Sequence, residues 1–555
     1  MKNSDKETAV MLTQALEAYG VREAVTSPGS RNAPLVVAAQ RCGALRLRTV
    51  IDERSAAFIA LGIAQTSMRP VALICTSGTA LLNYAPAVAE AYYRKTPLIV
   101  ISADRPARWI GQDDSQTLPQ PGILDKITVM SVTLPPEMRT HDDFWLTNRR
   151  LNEALQQAVS GRPGPVHINV PLSEPLGGEC EEKDHPFRFR KIDLMLPEKK
   201  LGVTQARALA EEIHGKKILI AGGFCPPSAE VSKAMAKLST LADIVIAADA
   251  LANLNCPGIV ERPDLLDFDA LSLPPGRPDI LITFGGALLS RKLKEFLRLT
   301  DFEAHWHIGT NDMLIDSYFS LTRRIEIAES DFFPRLANAM LYLSGKGKKS
   351  SSGGGAFRAV WHEAASRAEA DYRLRTESAG WDGRSAVAAL LAELPSDWNL
   401  QLSNGLTVRY AVNSGAARFH RRDCNRGVSG IDGSASTALG ASLSFKGTTL
   451  LLSGDMSMQY DLGALSCNYL TPRLKIAVIN NGGGGIFRKV ESTRNLPELE
   501  ERFVCRTNLP LEELARAYGL EYFRAASEEE LREVLPRFRQ ERLRPCLLEI
   551  IVPDK

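Results

Sequence analysis

Short apolar runs alternating with amphipathic stretches set the pattern of this chain. Ala9–Tyr19 places Val10, Leu12 and Leu16 on one face, and Ala56–Ala64 is apolar almost throughout, so both predict helices. Glu23–Thr26, Leu47–Ile51, Val71–Thr76, Leu98–Ser102 and Val166–Val170 predict strands. Ile218–Ala221, Ile244–Ala248, Ile280–Phe284 and Trp306–Ile308 repeat the pattern in a second region. Leu450–Leu452, Leu474–Ile479 and Cys546–Val552 repeat it in a third, where Tyr460–Tyr469 predicts a short helix with Leu462, Leu465 and Tyr469 on one face. The apolar runs show no alternation, as expected of strands covered on both faces. Strand and helix alternating at this spacing imply parallel sheets. The expected fold class is α/β, with three doubly wound parallel-sheet domains.

Two breaks divide the chain. Gly177–Gly178 with the charged stretch Glu179–Lys200 reads as a linker, and so, more strongly, does 345–355, GKGKKSSSGGG. The expected domains are 1–180, 195–345 and 356–555. A length of 555 residues agrees, because single cores rarely grow past about 250–300 residues.

Composition narrows the class. A formal net charge of +2 is too small to imply a nucleic-acid partner. The nine cysteines form no C-x-x-C pair, which argues for reduced thiols over a disulfide framework or a zinc site. The opening MKNSDKETAVML has no apolar core of a secretory signal, and no apolar run reaches the roughly 18–20 residues of a membrane span. The expectation is a soluble cytoplasmic enzyme with no membrane partner.

The chemistry concentrates between Thr448 and Phe487. One apolar run ends in Gly454–Asp455, the next in Asn480–Asn481 followed by Gly482 to Gly485. A carboxylate and an amide thus leave the carboxyl ends of two strands, where open α/β sheets bind ligands. Carboxylate, amide and glycine carbonyl oxygens make a hard cage suited to Mg²⁺ holding a diphosphate, and glycines let backbone amides approach phosphate. Either half alone reads better as a turn and a flexible loop. The two together, with 24 residues between Asp455 and Asn480, resemble the signature of thiamine-diphosphate enzymes, Met456 standing at its third position.

That resemblance implies thiamine diphosphate, with Asp455, Asn481 and the Gly483 carbonyl as ligands of Mg²⁺, or alternatively Mn²⁺. Gly454, Met456, Ser457 and Gly484 would lie near the diphosphate. In this superfamily the first domain binds the aminopyrimidine and the third the diphosphate, while the nucleotide-binding-like middle domain often carries no cofactor. Glu53, beyond the strand ending at Ile51, would be the glutamate bonded to pyrimidine N1′. Taken alone it reads as a solvated acidic turn or a helix N-terminal charge.

Further tags narrow the resemblance. Ser27-Pro28-Gly29-Ser30-Arg31, Thr76-Ser77-Gly78-Thr79-Ala80, Ala103-Asp104-Arg105-Pro106, Asn425-Arg426-Gly427 and Ser429-Gly430-Ile431-Asp432-Gly433 are similar to the menaquinone-pathway carboligase family MenD. The implied reaction is decarboxylation of 2-oxoglutarate and addition of its four-carbon unit to isochorismate. Such anionic substrates call for arginines, because guanidinium pairs with carboxylate bidentately. The implied substrate-binding set is Ser30, Arg31, Arg105, Gln116, Arg291, Lys292, Arg409 and Arg426, with Glu53, Gln116 and Arg31 in catalysis. For each arginine a structural ion pair is as good a reading. Thr76, Gly78, Asn404, Gly405, Leu406, Ile431, Ile486 and Phe487 complete the implied cofactor set. Ile431 would be the aliphatic wedge that bends the cofactor, or simply core, and Phe487 and Val490 would line the apolar side.

Two departures stand out: Gly405 where family members often carry serine, and Arg291–Lys292 in reversed order. His305 and His307 flank Trp306 at strand spacing and read as ordinary strand residues. The family implies a homodimer with shared active sites, with pairing into tetramers left open. The competing readings are an acetolactate synthase or 2-oxoacid decarboxylase, which would turn over pyruvate or hold FAD, and a non-catalytic regulator that binds the same cofactor.

Overall fold

Three wholly parallel sheets hold all but two of the strands in the computed structural model, which describes residues 2–310, 313–345 and 354–553. The first region runs through β1 (Lys2–Ser4), β2 (Glu23–Thr26), β3 (Arg46–Thr49), β4 (Val71–Cys75), β5 (Leu98–Asp104), β6 (Met130–Thr133), β7 (Val166–Pro171) and β8 (Glu179–Glu181). The second comprises β9 (Ile218–Gly222), β10 (Ile244–Ala248), β11 (Ile280–Phe284), β12 (Ala304–Ile308) and β13 (Arg323–Ile325). The third comprises β14 (Asn399–Leu402), β15 (Arg421–Cys424), β16 (Thr449–Gly454), β17 (Leu474–Asn480), β18 (Glu521–Ala525) and β19 (Cys546–Ile551).

The outer two sheets share one topology. Their orders are β3-β2-β4-β5-β7-β6 and β15-β14-β16-β17-β19-β18, which place corresponding strands in corresponding positions. The middle sheet, β10-β9-β11-β12-β13, begins the same way. Each therefore reverses direction between its first and third strands, at β2/β4, β9/β11 and β14/β16. Such switch points open a crevice at the carboxyl ends of the strands. Strands such as β4, β9 and β17 are apolar over nearly their whole length because helices cover both faces.

One helix pair ties the first and third sheets into a common core. Helix Glu53–Ser67 lies against helix Ser434–Ser444 so closely that a Cβ on Gly62 would sit 2.0 Å from Thr437 O, and one on Gly440 2.1 Å from Ile59 O. Only glycine permits that approach.

Two expectations need correction. The helix expected over Tyr460–Tyr469 runs instead from Asp455 to Tyr460, followed by a 3-10 turn over Leu462–Ser466. Asp461 breaks it: this fully buried carboxylate accepts from Ser436 N at 2.7 Å and Ser436 Oγ at 2.8 Å, which draws the chain off the helical path. Leu465 is still buried, with Leu462 and Tyr469 packed against the same core. The stretch 179–200 does not begin as a free linker. β8 pairs antiparallel with β1, Phe187 and Phe189 pack on the first core, and Asn152 holds Arg190 and Ile192. Of the second linker, 345–355, residues 346–353 lie outside the described residues, while Gly345 ends one helix and Gly354–Ser378 forms the next.

Candidate active site

The third switch point opens a cleft of about 950 Å³ at the carboxyl ends of β14, β16 and β17. Every cofactor candidate from this region lines it: Asn404, Gly405, Leu406, Ile431, Gly454, Asp455, Met456, Ser457, Asn481, Gly483, Gly484, Ile486 and Phe487. Val490 does not, although it was expected on the apolar side.

Among the described residues, Asp382 and Asp455 are the carboxylates that line the cleft, and Asp455 stands with the metal candidates. It starts a helix at the end of β16, is 2% exposed, and accepts from Met456 N and Gly483 N, each at 2.8 Å. Burial pushes its carboxyl up to about 6, against the pull of those backbone amides. Gly483 has φ +152, and a Cβ there would lie 2.7 Å from Val504 O, so the loop that crosses Asp455 demands glycine. No group of three His, Cys, Asp or Glu side chains suited to a metal forms among the described residues. A cation here must therefore be held by one carboxylate with amide and carbonyl oxygens, and Asp455, Asn481 and Gly483 fit a hard dication that a diphosphate also ligates.

The two asparagines divide their work. Asn480 Nδ2 donates to Glu549 Oε1 at 2.6 Å and its Oδ1 accepts from Gly482 N at 3.1 Å, shaping the turn. Tyr522 donates to the other Glu549 oxygen. Asn481 is left to face the cleft. Gly405 has φ +104, where glycine is the unstrained residue, and open space where a Cβ would stand. Tyr410, Lys489 and Asp382 also line the cleft, with Lys489 Nζ 2.9 Å from Tyr410 OH. None of these carries a sequence signal beyond proximity to a motif.

The first-region candidates gather elsewhere, around the carboxyl ends of β2, β4 and β5. Gly29 packs on Thr76, where a Cβ would come within 2.3 Å, and this leaves the following Ser30 exposed. Arg31, 5% exposed, donates to Leu172 O at 3.1 Å and Glu174 Oε1 at 2.8 Å. Arg105 pairs with Asp114 at 2.9 Å and approaches the same Glu174 at 3.7 Å. Gly78, φ +86, donates its N–H to Gln120 Oε1 and lies under the Gln116 backbone. The Thr76 and Ser77 hydroxyls are buried without a partner. Glu53 opens its helix behind the N-cap Asp52, half-buried, and its charge raises the buried Cys75 thiol and Tyr84 hydroxyl after burial itself. None of these residues lines the cleft of its own chain.

The remaining basic candidates are dispersed. Arg291 pairs with Glu295 at 3.1 Å and Lys292 Nζ donates to Leu266 O at 3.3 Å. Arg409, in helix Leu406–Ser414, lines a small cavity of about 250 Å³ at the seam with the middle sheet, beside Asp249, Leu289 and Ser290. Arg426 Nη1 donates to Asn404 Oδ1 at 3.0 Å.

Comparison with known proteins agrees with this geometry. Residues 6–124 match the thiamine pyrophosphate enzyme N-terminal TPP binding domain, and residues 407–550 the corresponding C-terminal TPP binding domain. Relatives named 2-succinyl-5-enolpyruvyl-6-hydroxy-3-cyclohexene-1-carboxylate synthase are similar over nearly the whole length. The protein of Porphyromonas gingivalis is 39% identical, covering 99% of this chain and 95% of its own. That of Desulfotalea psychrophila is 36% identical over 92% of each chain. That of Cytophaga hutchinsonii is 34% identical, covering 97% of this chain and 95% of its own.

Proposed function

This chain belongs to the 2-succinyl-5-enolpyruvyl-6-hydroxy-3-cyclohexene-1-carboxylate synthases, thiamine-dependent transferases of menaquinone biosynthesis, and we propose that it decarboxylates 2-oxoglutarate and transfers the four-carbon unit to isochorismate. When bound, thiamine diphosphate supplies the carbon nucleophile for both steps. Asp455, Asn481 and the Gly483 carbonyl hold Mg²⁺, or Mn²⁺, against its diphosphate. Gly454, Ser457 and Gly484 would lie near the same phosphates, and Ile431, which lines the cleft, would supply an apolar side chain beside the rings.

The observation that carries this reading is the division of the candidates into two half-sites. The cleft at β14/β16 holds the metal set and no glutamate, while the cluster at β2/β4 holds Glu53 and two orphaned hydroxyls. Both lie at the same switch point of the same topology. A second copy facing the first joins the halves, so the working unit is a homodimer with Glu53 of one copy opposite Asp455 of the other. Glu53 then holds a proton at pyrimidine N1′, with Gln116 and Arg31 on the substrate side. The proposed enzyme is cytoplasmic and acts on small molecules; no helix among the described residues is long and apolar enough to cross a membrane.

The test is CO₂ release from 2-oxoglutarate by the Mg²⁺- and cofactor-loaded protein, with and without isochorismate. Turnover that needs both substrates is expected. Preference for pyruvate, or a yellow flavin-bearing protein, would move the chain to another branch of the superfamily.

A further inference from the structure

Four buried polar side chains, Ser102, Asp104, His167 and Asn169, interrupt the apolar runs of β5 and β7. Ser102 pairs with Asn169 across the two strands, and each strand's polar pair is two residues apart, so all four share one face of the sheet. Gln120, fully buried in the irregular stretch that follows β5, joins them.

Donor and acceptor chemistry fixes every orientation in this group. The Gly78 N–H can only donate, so Gln120 turns its Oε1 to it, at 2.8 Å. Gln120 Nε2 then donates to Ala103 O at 3.1 Å and to Asn169 Oδ1 at 2.8 Å. Asn169 Oδ1 also accepts from Ser102 Oγ at 2.9 Å, and Asn169 Nδ2 donates to Asp104 Oδ2 at 2.8 Å. The other Asp104 oxygen accepts from Arg105 N at 2.8 Å. With its one proton spent on Asn169, Ser102 Oγ accepts from His167 Nε2 at 2.8 Å, which sets the tautomer of that ring. Burial keeps the imidazole neutral, holding it down to about 4.

Asn169 is thereby the hub that ties down both ends of residues 114–120, a stretch with no helix or strand of its own. Through Asp104 it fixes Arg105, whose Nε donates to Ser115 O at 3.1 Å and whose guanidinium pairs with Asp114. Through Gln120 it fixes the far end. Between the two, exposed Gln116 has φ +54, a left-handed backbone that persists in such a residue only where the surroundings over-determine it. Gly78 packs against it, since a Cβ there would lie 3.4 Å from Gln116 O. We propose that Asn169 and Gln120 are positioning residues for the reaction, holding the Gln116 segment over Gly78 from its two ends. The inference rests on the proposed place of Gln116 on the substrate side. Both residues are fully buried and act only through the segment they hold.

The test is Gln120→Met, which fills similar space and removes every bond. In the cofactor-free protein, amide exchange should quicken at Gly78 and over residues 114–118, with β5 and β7 still protected. In the enzyme loaded with cofactor and Mg²⁺, kcat/KM with 2-oxoglutarate and isochorismate should fall about 10- to 100-fold. Gln116→Ala should fall at least as far, and Gln120→Met should add nothing to it, because a residue that acts through Gln116 then has nothing left to position. A merely structural glutamine would lower both backgrounds alike. Asn169→Asp, which sets two carboxylates face to face, should loosen the same segment from its Arg105 end. Gln120→Glu keeps the acceptor for the Gly78 amide and loses both donors; it should show the same pattern at smaller amplitude, and it carries the test if Gln120→Met does not fold. Wild-type exchange and kcat/KM in the Gln120 variants, full activity in Gln116→Ala, or losses that multiply in the double variant would overturn the inference while leaving the carboligase reading intact. Quickened exchange over 114–118 in a protein that turns over neither substrate would leave the anchoring of Gln116 standing and overturn the carboligase reading.

Discussion

Glu90 holds Gly427. This carboxylate, on helix Thr79–Arg94 and 1% exposed, accepts from the Gly427 amide at 2.7 Å and the Val428 amide at 2.8 Å. The loop it grips carries Arg426 and Ile431, and Asn404 Nδ2 fastens the loop's ends through Asn425 O at 2.7 Å and Gly430 O at 2.6 Å. The first region thus shapes the cleft of its own chain.

Gly427→Ala should therefore disturb the loop without removing a charge, because a Cβ there meets Glu90 O at 2.7 Å and the Glu90 carboxyl at 3.0 Å. A displacement of about 1 Å at a positioning element costs up to roughly 10²-fold in rate. We expect kcat/KM to fall by one to two orders of magnitude, with faster amide exchange confined to residues 425–431. Glu90→Gln, which keeps only one acceptor, should do the same. Wild-type exchange and activity in both variants would make the contact incidental.

Asp455→Ala should leave the fold intact and abolish Mg²⁺-dependent cofactor binding. It is the one carboxylate in the candidate metal set, so its loss leaves the dication without its anionic protein ligand and the diphosphate without the charge that dication neutralises. Calorimetric titration with thiamine diphosphate and Mg²⁺ checks this, and unchanged affinity would remove Asp455 from the metal site.

His305 and His307 share Thr283 Oγ1, at 2.9 Å and 3.0 Å, and both are held down to about 4 by burial first and by nearby cationic groups second. A folded-state value below the ordinary 6.5 means the unfolded chain takes up protons first as pH falls. The stability they confer is present above pH 6.5 and drains away as pH falls towards about 4. Each should cost the middle sheet about 2 kcal/mol by pH 5. Amide exchange in β12 at pH 7 and pH 5 measures it. Equal protection at both values in the wild type would contradict the assignment.

The motif at Asp455 and Asn480–Asn481 was readable because strand ends and glycines are local signals, and the cleft assembles those residues where the spacing put them. Arg31, Thr76 and Arg105 were singled out by the family resemblance of their tags and not by a local signal. What escaped the sequence was decided by tertiary phase. Arg291 and Lys292 sit at the family's basic positions, yet one pairs with Glu295 and the other with the Leu266 carbonyl. Glu90 and Glu549 act across 337 and 69 residues of chain, distances at which no periodicity reports a partner. Tyr460–Tyr469 failed as a helix because Asp461 is claimed by Ser436, a contact invisible in the local apolar pattern.

The division of the active site between two copies is tested most directly by complementation. Glu53→Gln alone should lose roughly 10²–10⁴-fold in activity, since glutamine cannot exchange a proton with N1′, and Asp455→Ala should lose nearly all of it. A mixed dimer of the two variants contains one doubly altered site and one unaltered site if each site draws Glu53 and Asp455 from different copies. Random reassortment of equal amounts should then restore about a quarter of wild-type turnover of 2-oxoglutarate with isochorismate. Activity no higher than that of the separate variants, with mixed dimers demonstrated by mass, would place both residues of each site in one chain and contradict the account.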